Sequence, residues 1–262
     1  MPLELNVQYF AGNSANIPLI VLHGLFGSTA NWRTLCKRYA VHRDVYALDL
    51  RNHGQSPHHP RMSIEDMAGD VLAFLDRQQL TSCVLLGHSM GGKVAMQLAL
   101  EHPERIERLI VADIAPKHYP PRHNEVFAAI ELIDRTRITH RNQADKLIED
   151  VLPDQATRLF LLTNLARDDD GEYQWRIDVQ AIRDNYKTIS DAPPVVHSGK
   201  QFNKPALFVR GGKSFYIQPE DGNLITSLFP KAAMEEIPDA GHWVHAEQPE
   251  AFFRITQRFL DQ

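Results

Sequence analysis

The segment Gly87-His88-Ser89-Met90-Gly91 constrains the fold more than any other part of the sequence. It follows an apolar run at residues 83–86 and opens a run with helical character that continues to Leu100. A serine at such a junction sits in a strained turn, and its neighbours two positions away crowd each other unless both are glycine. The pattern is typical of a nucleophile elbow, which exposes the Ser89 hydroxyl above a sheet. The amide of Met90 then points into the same space, where it would stabilise an oxyanion.

Short apolar runs alternate with amphipathic runs along most of the chain. The apolar runs have the composition of strands that are buried on both faces, and the amphipathic runs have helical spacing. Strands are predicted at residues 17–22, 45–48, 83–86, 109–112, 206–209 and 234–237, and helices at 30–39, 64–79, 90–101, 223–229 and 251–259. The alternation predicts an α/β fold with a mostly parallel sheet flanked by helices. An extended segment at residues 3–10 is expected to add edge strands or a hairpin.

The alternation stops between Ala115 and Lys204, where no strand-like apolar run is visible. Helical spacing is present at residues 124–134, 143–151, 155–165 and 179–188. Loops at the carboxyl edge of an open α/β sheet carry ligand sites. We therefore expect residues 116–203 to form a helical cap, or lid, over that edge, and residues 1–115 and 204–262 to form the core. A helical excursion with no bearing on the site is the alternative.

Charge and composition argue against several functional classes. The 262 residues carry a formal net charge of −5 and no dense basic run, so no nucleic-acid partner is expected. No apolar stretch approaches the ~18 residues of a membrane span, and no signal peptide is visible at the amino terminus. The two cysteines, Cys36 and Cys83, are too few for a disulfide framework. Buried thiols in a reducing cytoplasm are the expectation.

Three further segments, together with the serine turn, resemble the α/β-hydrolase superfamily. His23-Gly24-Leu25-Phe26-Gly27 resembles the family's His-Gly loop, and the segment from Asp49 to Ser56 resembles its Asp-x-Arg-Gly-x-Gly-x-Ser loop, with Asn52 in place of a glycine. Ala240-Gly241-His242-Trp243 resembles the loop of the catalytic histidine. Within the superfamily, the chain most resembles small bacterial esterases of the YbfF type. This resemblance implies an α/β-hydrolase fold with the cap inserted after the family's sixth strand.

The resemblance also implies roles for individual residues. Ser89 would be the nucleophile and His242 the general base and acid, while the amides of Leu25 and Met90 would form the oxyanion hole. One departure concerns the acid, because many relatives carry an aspartate in the turn where this chain has Gly211-Gly212-Lys213-Ser214. Some hydrolases place the acid after the sixth strand instead, and here Asp113 follows residues 109–112 directly. We expect Asp113 to orient His242. The rival acids are Asp221, Asp239 and Glu247.

Several other side chains are candidates for contact with the substrate. His23 either contacts the substrate or is a hydrogen-bonded structural residue. An apolar acyl pocket or simple core packing would account for Phe26, Trp32, Tyr119, Phe215, Tyr216 and Trp243. His88 is expected to be structural, and His245 lies too close in sequence to His242 to share its position. A metal site at His242, His245 and Glu247 is not favoured because no second ligand cluster accompanies it, and no cofactor is expected.

The expected function is hydrolysis of carboxylic esters with small or medium acyl chains through an acyl-enzyme. Hydrolysis of acyl-CoA or other thioesters uses the same groups, so the small-molecule substrate is either an ester or a thioester. Haloalkane dehalogenases and epoxide hydrolases use aspartate at the elbow, and Ser89 argues against both; perhydrolysis and carbon–carbon bond hydrolysis stay open. A non-catalytic ligand-binding protein on the same scaffold is the alternative from another class. The sequence does not distinguish a monomer from a homodimer.

Overall fold

A seven-stranded sheet forms the centre of the protein. The structure is a computed structural model, and it describes residues 1–12, 15–168 and 170–262. In chain order the strands are β1 Val7–Phe10, β2 Leu19–Leu22, β3 Val45–Leu48, β4 Cys83–His88, β5 Ile106–Ala112, the separate hairpin β6 Leu165–Arg167 and β7 Tyr173–Trp175, and then β8 Ala206–Gly211 and β9 Ala232–Ile237. Across the main sheet the order is β1-β3-β2-β4-β5-β8-β9. The edge strand β1 pairs antiparallel with β3, and the other neighbours pair in parallel. The mostly parallel sheet is thus confirmed, and residues 3–10 contribute one edge strand.

Helices cover both faces of this sheet. They are α1 Arg33–Tyr39, α2 Ile64–Arg77, α3 Met90–Glu101, α4 Asn124–Asp134, α5 Arg141–Leu147, α6 Gln155–Leu162, α7 Val179–Asp184, α8 Tyr186–Ser190, α9 Gly222–Leu228, α10 Val244–Glu247 and α11 Pro249–Leu260. Successive side chains of a strand point to opposite faces. In β2, Ile20 and Leu22 join the buried cluster of α2 and α3, whereas Leu19 and Val21 join that of α1 and α11. Both cysteines are buried free thiols, as expected.

The segment between β5 and β8 holds α4 to α8 and the hairpin β6–β7. The expectation of no strand there was wrong, because strands of three residues are too short to show a period of two. The helix predicted at 155–165 ends at Leu162, and Leu165 already belongs to β6. The helix predicted at 179–188 is two helices, broken at Asn185. Asn185 bonds back to the core, since its side-chain oxygen accepts the Met62 amide at 3.2 Å.

Candidate active site

Ser89 lies between β4 and α3 in a strained backbone conformation, with φ 52° and ψ −117°. The two glycines of the turn are required by close backbone contacts. A Cβ on Gly87 would lie 2.2 Å from the carbonyl oxygen of Gly91, and a Cβ on Gly91 would lie 2.5 Å from that of His23. Real Cβ atoms do not come so close to backbone atoms, so only glycine permits this turn. The strain at Ser89 is of the kind that accumulates at functional sites.

His242 connects Ser89 to Asp113 through both of its ring nitrogens. It lies in the loop between β9 and α10, and its Nε2 is 3.0 Å from the Ser89 Oγ. Its Nδ1 is 2.7 Å from the Asp113 Oδ2. The ring stacks on Tyr216, with 3.7 Å between centroids and 20° between planes. The structure therefore brings together the three side chains that the sequence singled out as nucleophile, base and acid.

Asp113 follows β5 directly, is fully buried and has a positive φ of 51°. Its Oδ1 accepts the Gly211 amide at 3.0 Å, and its Oδ2 accepts the Ser214 hydroxyl as well as the His242 Nδ1–H. Ser214 stands in the turn where the resemblance to the superfamily had implied the usual position of the acid. In this chain that position supplies a hydrogen-bond donor to the carboxylate instead of the carboxylate itself.

The rival acids make other contacts. Asp221 binds the Lys117 ammonium at 2.6 Å, and Asp239 faces Lys213 at the surface. Glu247 accepts the amides of Gly241 and Trp243, at 2.7 and 3.1 Å, and so braces the loop that carries His242.

Burial perturbs the pKa values of both His242 and Asp113. Desolvation lowers the pKa of His242 to about 3, with a smaller contribution from His123, so the imidazole is neutral near pH 7 and can accept a proton. Burial raises the pKa of Asp113 to about 7, while the hydrogen bonds from Ser214 and Gly211 oppose that rise. The two donors therefore help to keep the carboxyl ionised at neutral pH.

Two backbone amides are available for an oxyanion near Ser89. Within the described residues, neither the Leu25 amide nor the Met90 amide donates to a protein acceptor. The Phe26 amide, by contrast, donates to the His53 Nε2 at 3.1 Å. The structure thus leaves free the two donors that the resemblance had implied.

His23 bonds through both ring nitrogens to backbone groups, one in its own loop and one in the loop after β3. Its Nδ1 donates to the Gly24 carbonyl at 2.7 Å, and its Nε2 accepts the Leu50 amide at 2.9 Å. It borders the site, but the structural role is the one that its geometry favours. Two further histidines lie nearby: the His88 ring is 4.7 Å from the His242 ring, and the His245 ring is 4.7 Å from the His88 ring. His88 donates from Nε2 to the His242 carbonyl at 2.9 Å, and His245 stacks on Trp32 at 4.1 Å.

A cavity of about 510 Å³ opens above Ser89 between the core and the inserted segment. Of the apolar candidates from the sequence, five line it: Phe26, Trp32, Phe215, Tyr216 and Trp243. Tyr119 does not; it borders a smaller recess of about 40 Å³ beside Ser89 and donates its hydroxyl to the Tyr216 carbonyl at 2.5 Å. It is therefore a support for the site rather than part of the large cavity wall.

Residues 116–203 were expected to cover this edge of the sheet, but the side chains that this segment contributes to the cavity were not identified from the sequence. The lining residues not named from the sequence include Arg122, His123, Leu152, Thr157, Phe160 and Leu161. Phe160 of α6 packs against Trp243, with ring centroids 5.3 Å apart, and so joins the insertion to the loop of His242. Helical spacing shows which face of such a helix is apolar, but not which neighbour that face meets.

Comparison with known proteins identifies the family. Residues 17–165, more than half of the chain, match the family model described as "alpha/beta hydrolase fold". The chain belongs to the α/β-hydrolase family.

Among its relatives are the sn-1-specific diacylglycerol lipase ABHD11 of Mus musculus, 38% identical over 99% of this chain and 86% of the relative, and the esterase YbfF of Escherichia coli K12, 36% identical over the full length of both. The solved structure of a marine microorganism esterase is 39% identical, covers 98% of this chain and 99% of its own, and superposes with a TM-score of 0.92.

No group of three or more His, Cys, Asp or Glu side chains in the described ranges is placed to hold a metal ion. Among the helices in those ranges, none is long and apolar enough to cross a membrane.

Proposed function

We propose that the protein hydrolyses carboxylic esters through an acyl-enzyme formed on Ser89. The observation that carries this proposal is the continuous contact from the Ser89 Oγ through His242 to Asp113, with distances of 3.0 and 2.7 Å. A serine hydroxyl becomes nucleophilic when a neutral base within hydrogen-bond reach removes its proton. Relatives named esterase and diacylglycerol lipase support the same reaction class.

In the acylation step the Ser89 Oγ attacks the carbonyl carbon of the ester while its proton passes to the His242 Nε2. Asp113 holds the Nδ1–H and stabilises the imidazolium that forms. The oxyanion of the tetrahedral intermediate accepts hydrogen bonds from the amides of Leu25 and Met90. The bond to the leaving alcohol then breaks, and the alcohol takes the proton from His242.

Deacylation repeats these steps with water as the nucleophile. His242 removes a proton from the water, whose oxygen attacks the acyl carbon. The second tetrahedral intermediate expels the Ser89 oxygen, which recovers its proton from His242. The products are a carboxylic acid and the free enzyme, and no cofactor takes part in any step.

The inserted segment at residues 116–203 is, in this proposal, a cap that encloses the substrate. Support comes from Leu152, Phe160 and Leu161, which line the cavity over Ser89. A volume of about 510 Å³ lies within the ~300–1,000 Å³ of small-molecule sites, and it accommodates an acyl chain of small or medium length. The buried free thiols of Cys36 and Cys83 support a reducing cytoplasm as the place of action.

Turnover of p-nitrophenyl esters tests the proposal. The wild type should hydrolyse them, and Ser89→Ala should lose at least about 10³-fold in kcat/KM. Ser227→Ala, which removes an exposed hydroxyl of α9, is the matched control and should retain wild-type turnover. Equal turnover by wild type and Ser89→Ala contradicts the proposal, and no turnover by either favours a ligand-binding protein.

A second assay compares an ester with the thioester of the same acyl group. The elbow, base and oxyanion amides serve both substrates, so the ratio of the two kcat/KM values decides between an esterase and a thioesterase. A thioesterase domain from the curacin biosynthetic pathway shares the fold at 18% identity and a TM-score of 0.73, which bears on the fold alone.

A further inference from the structure

We propose that Lys93 is a positioning residue whose buried ammonium joins the two connections between core and insertion and, through Tyr119 and Tyr216, holds the ring of His242. Here the outgoing connection is residues 113–123, between β5 and α4, and the return connection is residues 189–193, which runs from the last turn of α8 toward β8. Only the expected effect on kcat rests on the proposed function. Its structural part concerns contacts that exist whether or not Ser89 is acylated.

The position of Lys93 is unusual for a lysine. It lies in the first turn of α3, four residues after Ser89, and is 2% exposed. A cation near a helix amino terminus opposes the helix dipole, and a buried ammonium is unfavourable unless it is fully hydrogen-bonded. Burial lowers the pKa of Lys93, with the Asp191 carboxylate opposing the shift. Neither local helix preference nor burial therefore favours a lysine at this position.

The hydrogen bonds of the ammonium explain why a lysine stands at this position. Its Nζ donates to the backbone carbonyls of Ile189, Ser190 and Asp191, at 3.2, 2.7 and 2.6 Å. An ammonium has three donors, and three carbonyls at the end of α8 use them all. Those carbonyls belong to the groups that a helix end leaves without partners. Lys93 therefore fixes the start of the return connection to the helix that carries the nucleophile.

The outgoing connection binds to one of the same carbonyls. The Tyr119 amide donates to the Ser190 carbonyl at 2.9 Å, so this oxygen accepts from both Tyr119 and Lys93. The Tyr119 ring also lies 5.0 Å from the Lys93 Nζ. One buried ammonium thus holds both connections and fixes them to α3 at the point where they meet.

From Tyr119 the contacts continue to the imidazole. The Tyr119 hydroxyl accepts the Ala115 amide at 2.8 Å and donates to the Tyr216 carbonyl at 2.5 Å. The Tyr216 ring stacks on His242 with 3.7 Å between centroids. A displacement at Lys93 therefore reaches the orientation of the His242 ring through Tyr119 and Tyr216.

The test compares Lys93→Met, which keeps the unbranched chain up to the position of Cε but has no donor, with Lys204→Met as the matched control. Lys204 pairs with Glu107 at 3.2 Å, at the opposite end of the sheet. The first readouts are amide hydrogen exchange and the NMR resonances of the His242 ring, which do not depend on turnover. In Lys93→Met we expect exchange of Tyr119 and of residues 189–191 to rise about tenfold or more, β4 and β5 to stay protected, and the His242 resonances to shift. Lys204→Met should change neither.

The kinetic readout separates positioning from a merely structural role. Lys93→Met should lower kcat about tenfold to a hundredfold, the size expected for a misplaced catalytic group, because the ring of His242 is no longer held. Tyr119→Phe, which removes the hydroxyl contact to Tyr216, should lower kcat too. The double variant should lose less than the product of the two single losses because both act on one set of contacts.

The outcomes are distinguishable from a failure of the proposed function. Unchanged exchange and unchanged His242 resonances in Lys93→Met overturn the proposal, as does a lowered melting temperature with wild-type kcat. If the wild type shows no Ser89-dependent turnover, the proposed function fails and exchange and NMR still decide the role of Lys93. If Lys93→Met does not fold, Lys93→Gln, which keeps two donors without the charge, is measured against the same criteria.

Discussion

Replacement of Asp113 by asparagine is the most specific perturbation that the site offers, because each carboxylate oxygen has defined partners. Oδ1 accepts the Gly211 amide, which can only donate. Oδ2 faces the His242 Nδ1 and the Ser214 hydroxyl. In Asp113→Asn the side-chain oxygen must stay on Gly211, so the NH2 group takes the place of Oδ2.

The consequence for His242 follows from its tautomers. An NH2 group in this position donates to the His242 Nδ1 and to the Ser214 oxygen, so Nδ1 must be the acceptor and the ring proton moves to Nε2. A protonated Nε2 cannot accept the Ser89 proton. The same replacement in a comparable triad lowers turnover about 10⁴-fold, which corresponds to about 5.4 kcal/mol of activation free energy. Because the two side chains have nearly the same shape, we expect the fold to remain intact.

The assay is kcat/KM for a p-nitrophenyl ester at about pH 8, above the pKa of Asp113 at about 7, so that the wild-type carboxyl is ionised. The ¹⁵N resonances of His242 report its tautomer in the same samples. Asp221→Asn, which alters the acid bound to Lys117, is the control and should stay within about twofold of wild type. An Asp113→Asn enzyme within tenfold of wild type, or with Nδ1 still protonated, refutes the reasoning.

Two further predictions concern the supports of the triad. Ser214→Ala removes a hydrogen-bond donor to the Asp113 carboxylate and should therefore raise the pKa of that carboxyl. The acid limb of the pH profile of kcat/KM should then shift to higher pH by about one pH unit. An acid limb at the wild-type pH would contradict this prediction. Gly87→Ala places a Cβ 2.2 Å from the Gly91 carbonyl and should lower the free energy of unfolding in urea by about 2 kcal/mol or more. Gly222→Ala, where a Cβ meets nothing within 4 Å, should be neutral or stabilising, and equal losses in both variants refute the steric argument.

The placement of the site residues was predictable because short-range rules determine it. The elbow at Ser89 needs its two glycines, and Asp113 directly follows a strand that pairs with β4. The substitution at Ser214 pointed away from the usual turn and toward Asp113. Contacts between elements were not predictable in this way. The hydroxyl of Ser214 on Asp113 and the stacking of Tyr216 on His242 depend on how two loops meet in space.

The inserted segment shows where the sequence rules fail. Strands β6 and β7 are three residues each, so their pairing is visible only once the turn between them has formed. Phe160 faces the active-site cavity because α6 packs beside the loop of Trp243, a tertiary contact that helical spacing does not specify. Lys93 carried no sequence signal for its role either, since its partners are backbone carbonyls nearly a hundred residues away.

The most direct test of the central claim is the mass of the protein after reaction with a p-nitrophenyl phosphonate, which traps an activated serine. We predict a single adduct per chain, located on Ser89 by peptide mapping and absent from Ser89→Ala. An adduct on another residue, or an unmodified wild-type protein that still hydrolyses esters, would contradict it.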